Sequence, residues 1–539
     1  MLRNGVNKDA KLGLEDAKSE PAFEPVVFSG RDRRPLYQQL AEGIAAQIRD
    51  GTLPNGARLP AQRDAAKLHG IALVTASQAY EILVSEGLVE SRTGRGTFVS
   101  YDPAEFRSRT IPAASAETAT LPPLSVGRWD PGLSRYATET RRVAAMQLLR
   151  SAVRPGAIAI SAGHTAPETY PVADFARCYA RTFLDDPPEI HQYRADRGDE
   201  ALRSYFAQRL RARGADVGAD DILIVSGAQQ ALSLVAETLL EYGAAVAAEA
   251  PTYFSALEVF DQRRVSWSNL ATDEDGVLPE SFADVCRRMN PKVAYINSAS
   301  QNPTGANLAR ARHRRVLETS RRAQLTIVED QTCWPLSYDS EAPPPLLSSD
   351  VDGRVVMIES MSKLLMPSLR IGYIAAKGEA LQALYAAKLR ADSFTTTVAQ
   401  RALLRFLESK AAARHLRATR FLYQRRRDAL HAALQKVLPE GSKAPLPHGG
   451  LNIWVELPND WSAMELFGYA AHEGVIFLPG TPFYPTAPAA NTLRLSFGKL
   501  PQEQAHEAMA RFGRAIRAYA AARKRSRGVR LDPTAAAAV

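Results

Sequence analysis

Five short apolar runs constrain this chain more than any other feature: residues 222–225 (ILIV), 245–248 (AVAA), 293–296 (VAYI), 326–328 (TIV) and 355–358 (VVMI). Each is too short for a helix and too uniformly apolar for a strand with one wet face. Such runs suit strands buried on both sides. Helical stretches separate them, as in the run from Ala231 to Val235 after the first. Alternation of this kind predicts an α/β domain with a mainly parallel sheet covered by helices. Ligands of such sheets bind at the carboxyl ends of the strands.

The polar residues of the region fall at those ends. After the last run comes Glu359-Ser360-Met361-Ser362-Lys363, with Arg370 seven positions beyond the lysine. A lysine leaving a strand into a cavity loses solvation, so its amine deprotonates more easily and can attack an aldehyde. Ser360, Ser362 and Arg370 suit a phosphate, the arginine through its planar fork of donors. One ligand carrying both an aldehyde and a phosphate is pyridoxal 5′-phosphate (PLP). Taken alone, the stretch fits a solvated surface loop equally well.

The other strand ends supply the company. Ser226-Gly227-Ala228 opens a helix whose free N–H groups make an anion seat, although a plain helix cap reads the same way. Tyr253, in Ala250-Pro251-Thr252-Tyr253, has a ring that can lie flat on another, or serve as ordinary core. Asn302, in Gln301-Asn302-Pro303-Thr304-Gly305, can donate to a phenolic oxygen, although Asn-Pro is also turn chemistry. Asp330 ends the fourth run, where a buried carboxylate keeps a pyridine nitrogen protonated.

The N-terminal part reads differently. Leu36, Leu40, Ile44 and Ile48 form one apolar stripe ended by Asp50-Gly51. Leu59-Pro60 opens a second expected helix with Ala65, Ala66 and Leu68 inward, and His69-Gly70 turns the chain. A third helix is expected from Leu73 to Glu86, with Val74, Tyr80, Leu83 and Val84 inward. A short hairpin around Arg92-Thr93-Gly94-Arg95-Gly96 follows. Three helices and a basic hairpin are the layout of a winged helix-turn-helix, whose third helix enters the major groove of DNA.

Size and composition agree with two working parts. The chain has 539 residues, too many for one domain, and its 45% hydrophobic content can bury a large core. The formal net charge of +9 permits a nucleic-acid partner without requiring one. Cys178, Cys286 and Cys333 are far apart and read as reduced cytoplasmic thiols, neither disulfide nor metal ligands. The polar start lacks the apolar core of a secretory signal, and no apolar run is long enough to span a membrane. The expected domains are a flexible leader (1–30), the helical head (31–100), an Ala/Pro/Ser/Thr-rich linker (101–154), the α/β body (155–520) and a disordered basic tail (521–539). One helix is expected in the linker near Thr138–Ser151. A tether of about 50 residues has a root-mean-square span of about 40 Å.

PLYQQL, GTLPNGARLPAQRDAAKLHG and AYEILVSEGLVESRTGRGTFV resemble the GntR family of bacterial repressors. The resemblance implies DNA contacts from Arg63, from Thr75, Ser77 and Gln78 at the start of the third helix, and from Arg92 and Arg95 in the wing. The family usually places an arginine early in that helix, where this chain has Leu73. Gly227-Ala228, Tyr253, Asn302, Asp330, Lys363 and Arg370 occur in the order seen in fold-type I PLP enzymes. With YRADRGDEALRSYFAQRL, GVIFLPGTPFY and TLRLSF they resemble class I/II aminotransferases, and Arg494 would then take an effector carboxylate. A tyrosine usually follows the strand-end aspartate closely there, and this chain has Thr332. A GntR-type head on an aminotransferase-like body resembles the MocR family of transcription regulators. That resemblance implies PLP held covalently by Lys363, an amino compound or PLP itself as effector, a double-stranded DNA operator, and a homodimer. The rival reading is an active aminotransferase with a vestigial DNA module.

Overall fold

A computed structural model describes residues 23, 25–28, 35–85, 88–92, 96–100, 148–149, 155–194, 196–338 and 342–529. The chain divides into two compact units, residues 1–125 and 126–539.

In the first unit, helices α1 (Leu36–Asp50), α2 (Gln62–His69) and α3 (Leu73–Ser85) precede an antiparallel hairpin of β1 (Val89–Arg92) and β2 (Gly96–Val99). Leu40, Ile44, Ile48, Ala65, Tyr80 and Leu83 form its core, and the Tyr80 hydroxyl donates to the Pro60 carbonyl at 2.7 Å. Several expectations need correction here. Helix α2 starts two residues after Pro60 because the backbone stays extended through Ala61. Leu68, Val74 and Val84 are exposed, and Ala76 and Ala79 take the inward positions instead. The leader is not wholly free of the head either. Phe23, Val26 and Phe28 pack on the core; the Val26 N–H donates to His69 Nε2 at 3.0 Å, and both phenyl rings flank the imidazole. A side chain at Gly43 would strike Val26, so glycine there makes room for this strap.

The second unit is built on an eight-stranded sheet. Its strands are β4 (Ile222–Val225), β5 (Ala245–Ala250), β6 (Ser266–Asp273), β7 (Gly276–Val277), β8 (Val293–Ile296), β9 (Thr326–Asp330), β10 (Val355–Ser360) and β11 (Gly372–Ala375), in spatial order β4-β11-β10-β9-β8-β5-β6-β7. Strands β10, β9, β8, β5 and β6 run parallel, while β11 is antiparallel to both β10 and β4. Successive residues feed opposite cores. Ile222 and Ile224 join one apolar cluster, and Leu223 and Val225 the other. That two-sided burial explains the uninterrupted apolar runs.

A smaller antiparallel sheet pairs β12 (Asn452–Glu456) and β14 (Leu478–Pro479) with β15 (Thr492–Ser496), and β3 (Ile158–Ala159) pairs in parallel with β13 (Val475–Ile476). Helix Ala505–Val529 packs beside the smaller sheet and carries residues 521–529 of the expected disordered tail, whose remaining residues lie outside the described ones. Arg523 pairs with Asp460 at 2.5 Å and lies over the rings of Trp461 and Tyr519, which holds that segment helical. Of the expected linker helix only Leu148 and Leu149 lie among the described residues; they are helical and pack on the smaller lobe. No helix among the described residues is long and apolar enough to cross a membrane.

Candidate functional site

The antiparallel insertion of β11 between β4 and β10 brings three chain segments to one sheet end. Gly227 leads from β4 into helix Ala228–Leu239 with φ of 86°, a left-handed conformation that favours glycine. A Cβ there would stand 2.9 Å from Arg370 Nη2. Arg370 donates to the Ser226 carbonyl at 2.9 Å and to Ser362 Oγ at 3.4 Å, and Ser360 Oγ donates to Ser362 Oγ at 3.1 Å. Gly227, Ala228, Ser360, Ser362 and Arg370 are therefore brought together. Helix N–H groups, two hydroxyls and a guanidinium form a cup for a phosphate-like anion. Asp392 borders it, accepting from Ser226 Oγ and Gln230 and pairing with Lys388.

Lys363 follows this cup, and its Nζ donates to the Gly163 carbonyl at 2.8 Å. Burial lowers the pKa of the amine, with the Arg494 cation acting in the same direction. Gly163 lies against Asn452, whose amide donates to Asn302 Oδ1 at 3.4 Å. The same oxygen accepts from Arg494 Nη1 at 3.1 Å, and Arg494 Nη2 donates to the Ser161 carbonyl at 2.7 Å. Arg494 is 4% exposed, sits over the Phe483 ring at 4.8 Å, and keeps an unpartnered Nε. No carboxylate among the described residues pairs with it, and burial pushes its pKa down to about 10.

Asp330 is the opposite case. It is 3% exposed and accepts from Tyr295 Oη at 2.7 Å and from the Thr332 N–H at 2.9 Å, with no cationic partner among the described residues. Burial raises its pKa against the pull of those hydrogen bonds. Tyr253 follows a cis Ala250–Pro251 bond, is half-buried, and its phenol lies within electrostatic reach of Arg494 and Tyr295.

Sequence reasoning missed Tyr295, Ser161, Gly163, Asn452 and Glu249. Tyr295 hides inside an apolar run, where a tyrosine reads as core. The next three come from segments too short to carry a signal. Glu249, the penultimate residue of β5, is fully buried, accepts from the Asn297 N–H at 2.8 Å, and has its pKa pushed up to about 8 by burial.

In the head, Arg63 and Gln78 are exposed and Thr75 and Ser77 half-buried. Arg92 closes β1 opposite Gly96, although its side chain, like all of Arg95, lies outside the described residues.

These residues fit PLP. The anion cup leaves no room for a side chain at Gly227, a softened amine stands beside it, and a buried carboxylate and a buried guanidinium each lack a neutralising partner among the described residues. The ring nitrogen and the carboxylate of an amino-acid ligand are the charges that would complete them.

Comparison with known proteins agrees. Residues 166–512 match the model for aminotransferase class I and II, and residues 36–99 that for bacterial regulatory proteins of the gntR family. The LysN α-aminoadipate aminotransferase of Thermus thermophilus, solved with N-(5′-phosphopyridoxyl)-L-leucine, is 30% identical. It superposes with a TM-score of 0.65 over 72% of this chain and all of its own. The chain belongs to the class I and II aminotransferase family, whose cofactor is PLP, and carries a gntR-type DNA-binding head. Two curated relatives match this chain over most of both parts. The HTH-type regulator YdfD of Bacillus subtilis is 27% identical over 486 residues, covering 90% of this chain and 97% of its own. The probable rhizopine catabolism regulatory protein MocR of Rhizobium meliloti is 26% identical over 446 residues, covering 83% and 86%. The chain is MocR-like in its architecture.

Proposed function

We propose that this protein is a transcription regulator whose body binds PLP and an amino compound and whose head binds a DNA operator. The observation that carries the reading is the pair of uncompensated buried charges, Asp330 and Arg494, flanking an amine and an anion cup in a chain that also holds a helix-turn-helix. When bound, PLP supplies an aldehyde that joins reversibly to primary amines. Lys363 is the protein's own amine for that bond, and an effector amine would displace it. Ser360, Ser362, Arg370 and the helix start at Gly227 and Ala228 would hold the phosphate, and Tyr253 would contact the ring. Asp330, oriented by Tyr295, holds the ring proton, and Asn302 orients the phenolic oxygen. Arg494 takes the effector carboxylate, which selects amino acids over plain amines.

Displacement of Lys363 would return its amine to the free form that donates to the Gly163 carbonyl and would change the charge around it. Such a change shifts DNA binding only if the two states of the body hold the heads differently. Two heads on a homodimer would read a repeated operator in the cytoplasm. Footprinting upstream of the neighbouring genes, with and without PLP and a panel of L-amino acids, tests this. A ligand-dependent footprint supports it. DNA protection indifferent to both ligands refutes it. Steady turnover of an amino donor with a keto acid, with no footprint, would favour the transaminase reading, which the intact Lys363–Asp330–Arg494 set also permits.

A further inference from the structure

The first turn of α3 carries a chemistry that narrows what DNA it can read. Leu73 is 46% and Val74 68% exposed, and Ala72 beside them is exposed as well. Buried Ala76, Ala79, Tyr80 and Leu83 fix the opposite face against the core, so the aliphatic turn is aimed outward by the fold. From Gly70 to Ser85 there is no arginine, lysine, asparagine or aspartate. Exposed Arg63 and Lys67, one turn apart on α2, provide positive charge for a phosphate backbone alongside.

A helix-turn-helix puts the N-terminal residues of its second helix on base edges in the major groove. Guanine shows only acceptors there, cytosine a donor and adenine one of each. Thymine alone adds a methyl group. Leucine and valine have no hydrogen bond to offer, so against a G·C pair they would strip water from polar atoms and return nothing. Against thymine they bury a methyl. Gln78, exposed and one turn beyond Val74, has the paired donor and acceptor that match adenine.

We propose that α3 reads thymine methyl groups with Leu73 and Val74 and adenine with Gln78, so that each operator half-site is A·T beneath the first turn of the helix. This rests on DNA binding by the head.

The test uses the full-length, PLP-loaded chain. Duplexes are selected from a random pool, and thymines in the enriched sequence are then replaced one at a time by uracil, which lacks only the methyl. One or two replacements per half-site should weaken binding about four-fold each, the factor expected for one methyl-sized group. The Leu73→Ala/Val74→Ala double variant should still bind, with a thymine-to-uracil affinity ratio near one. Alanine is a good helix former and both sites are exposed, so circular dichroism and PLP uptake should be unchanged. Gln78→Ala should relax the adenine preference and leave the thymine-to-uracil ratio intact. Equal affinity for uracil duplexes, discrimination that survives in the double variant, or G·C pairs enriched beneath the turn would overturn the proposal. So would loss of self-association, without change in base preference, in the double variant, since the turn would then be covered by a second copy. Failure to enrich any sequence would instead remove the DNA-binding reading itself.

Discussion

Removing the Arg494 guanidinium should erase the preference for carboxylated ligands. Among the described residues Nη1 and Nη2 donate only to neutral oxygens, Asn302 Oδ1 at 3.1 Å and Ser161 O at 2.7 Å, while Nε has no acceptor. A ligand carboxylate would convert two donors to charge-assisted hydrogen bonds worth about 1.5–3 kcal/mol each. Losing the bond to Asn302 returns about 1 kcal/mol of that. The net, about 2–5 kcal/mol, agrees with the cost of truncating one partner of a buried charge pair. It corresponds to roughly 30- to 4000-fold in affinity. Spectral titration of the PLP-loaded protein with L-amino acids and their decarboxylated amines measures it. Wild type should prefer the acids, and Arg494→Leu should bring the ratio near one. Arg494→Lys, which keeps charge and loses the fork, should fall between and guards against a folding defect. Because burial brings Arg494 to about 10, the preference should hold across neutral pH and fade as pH rises past that value. An unchanged ratio in Arg494→Leu would refute the assignment.

Lys363→Ala should take up PLP without covalent attachment; borohydride reduction followed by mass spectrometry should find no adduct, and an adduct elsewhere would displace Lys363 from its role. Asp330→Ala should weaken PLP affinity by about 1–3 kcal/mol, the cost of an unmatched buried group, measured by equilibrium dialysis. Gly227→Ala forces a Cβ to 2.9 Å from Arg370 at a left-handed φ and should cost about 1–3 kcal/mol, read as a lower Tm and weaker phosphate binding. Glu249 is held above its ordinary value of 4.5, at about 8, so the native state keeps a proton that the unfolded chain has lost between those pH values. Stability should therefore fall as pH climbs through that window, by at most on the order of 5 kcal/mol, and Glu249→Gln should flatten the pH dependence of Tm. Arg63→Ala should lower DNA affinity and reduce the salt slope by about one, and an identical slope would remove it from the phosphate contacts.

The strand ends were legible because burial on both faces leaves the carboxyl end as the place where polar residues gather. Gly227 and Asp330 come two residues after an apolar run, and Lys363 and Asn302 five and six residues after theirs, so their position in the fold came with the run. The antiparallel β11 was not legible. Gly372–Ala375 is as apolar as its neighbours, and only its pairing partners set its direction. Ser161, Gly163 and Asn452 lie far from any motif, and only the fold brings them to Arg494, Lys363 and Asn302. In the head, the helical period placed Leu40, Ile44 and Ile48 of α1 in the core, whereas Leu36, at the start of the helix, is exposed. The period misjudged Val74 and Val84, because a short helix lying on two neighbours can bury alanines and leave valines in water. The basic C-terminal segment reads as a solvated run until Asp460 and Trp461, distant in sequence, join Tyr519 one turn back as partners for Arg523.

The contact of Phe23, Val26 and Phe28 with the head bears on how this protein is divided for experiment. A fragment begun at Pro35, where the first helix starts, would bare the groove over Gly43 and strip His69 of its aromatic neighbours. It would be prone to aggregate, and weak DNA binding by it would report damage at the cut. A fragment that keeps residues from 23 onward retains the surface the full chain covers, and is the one whose affinities can be compared with those of the intact regulator.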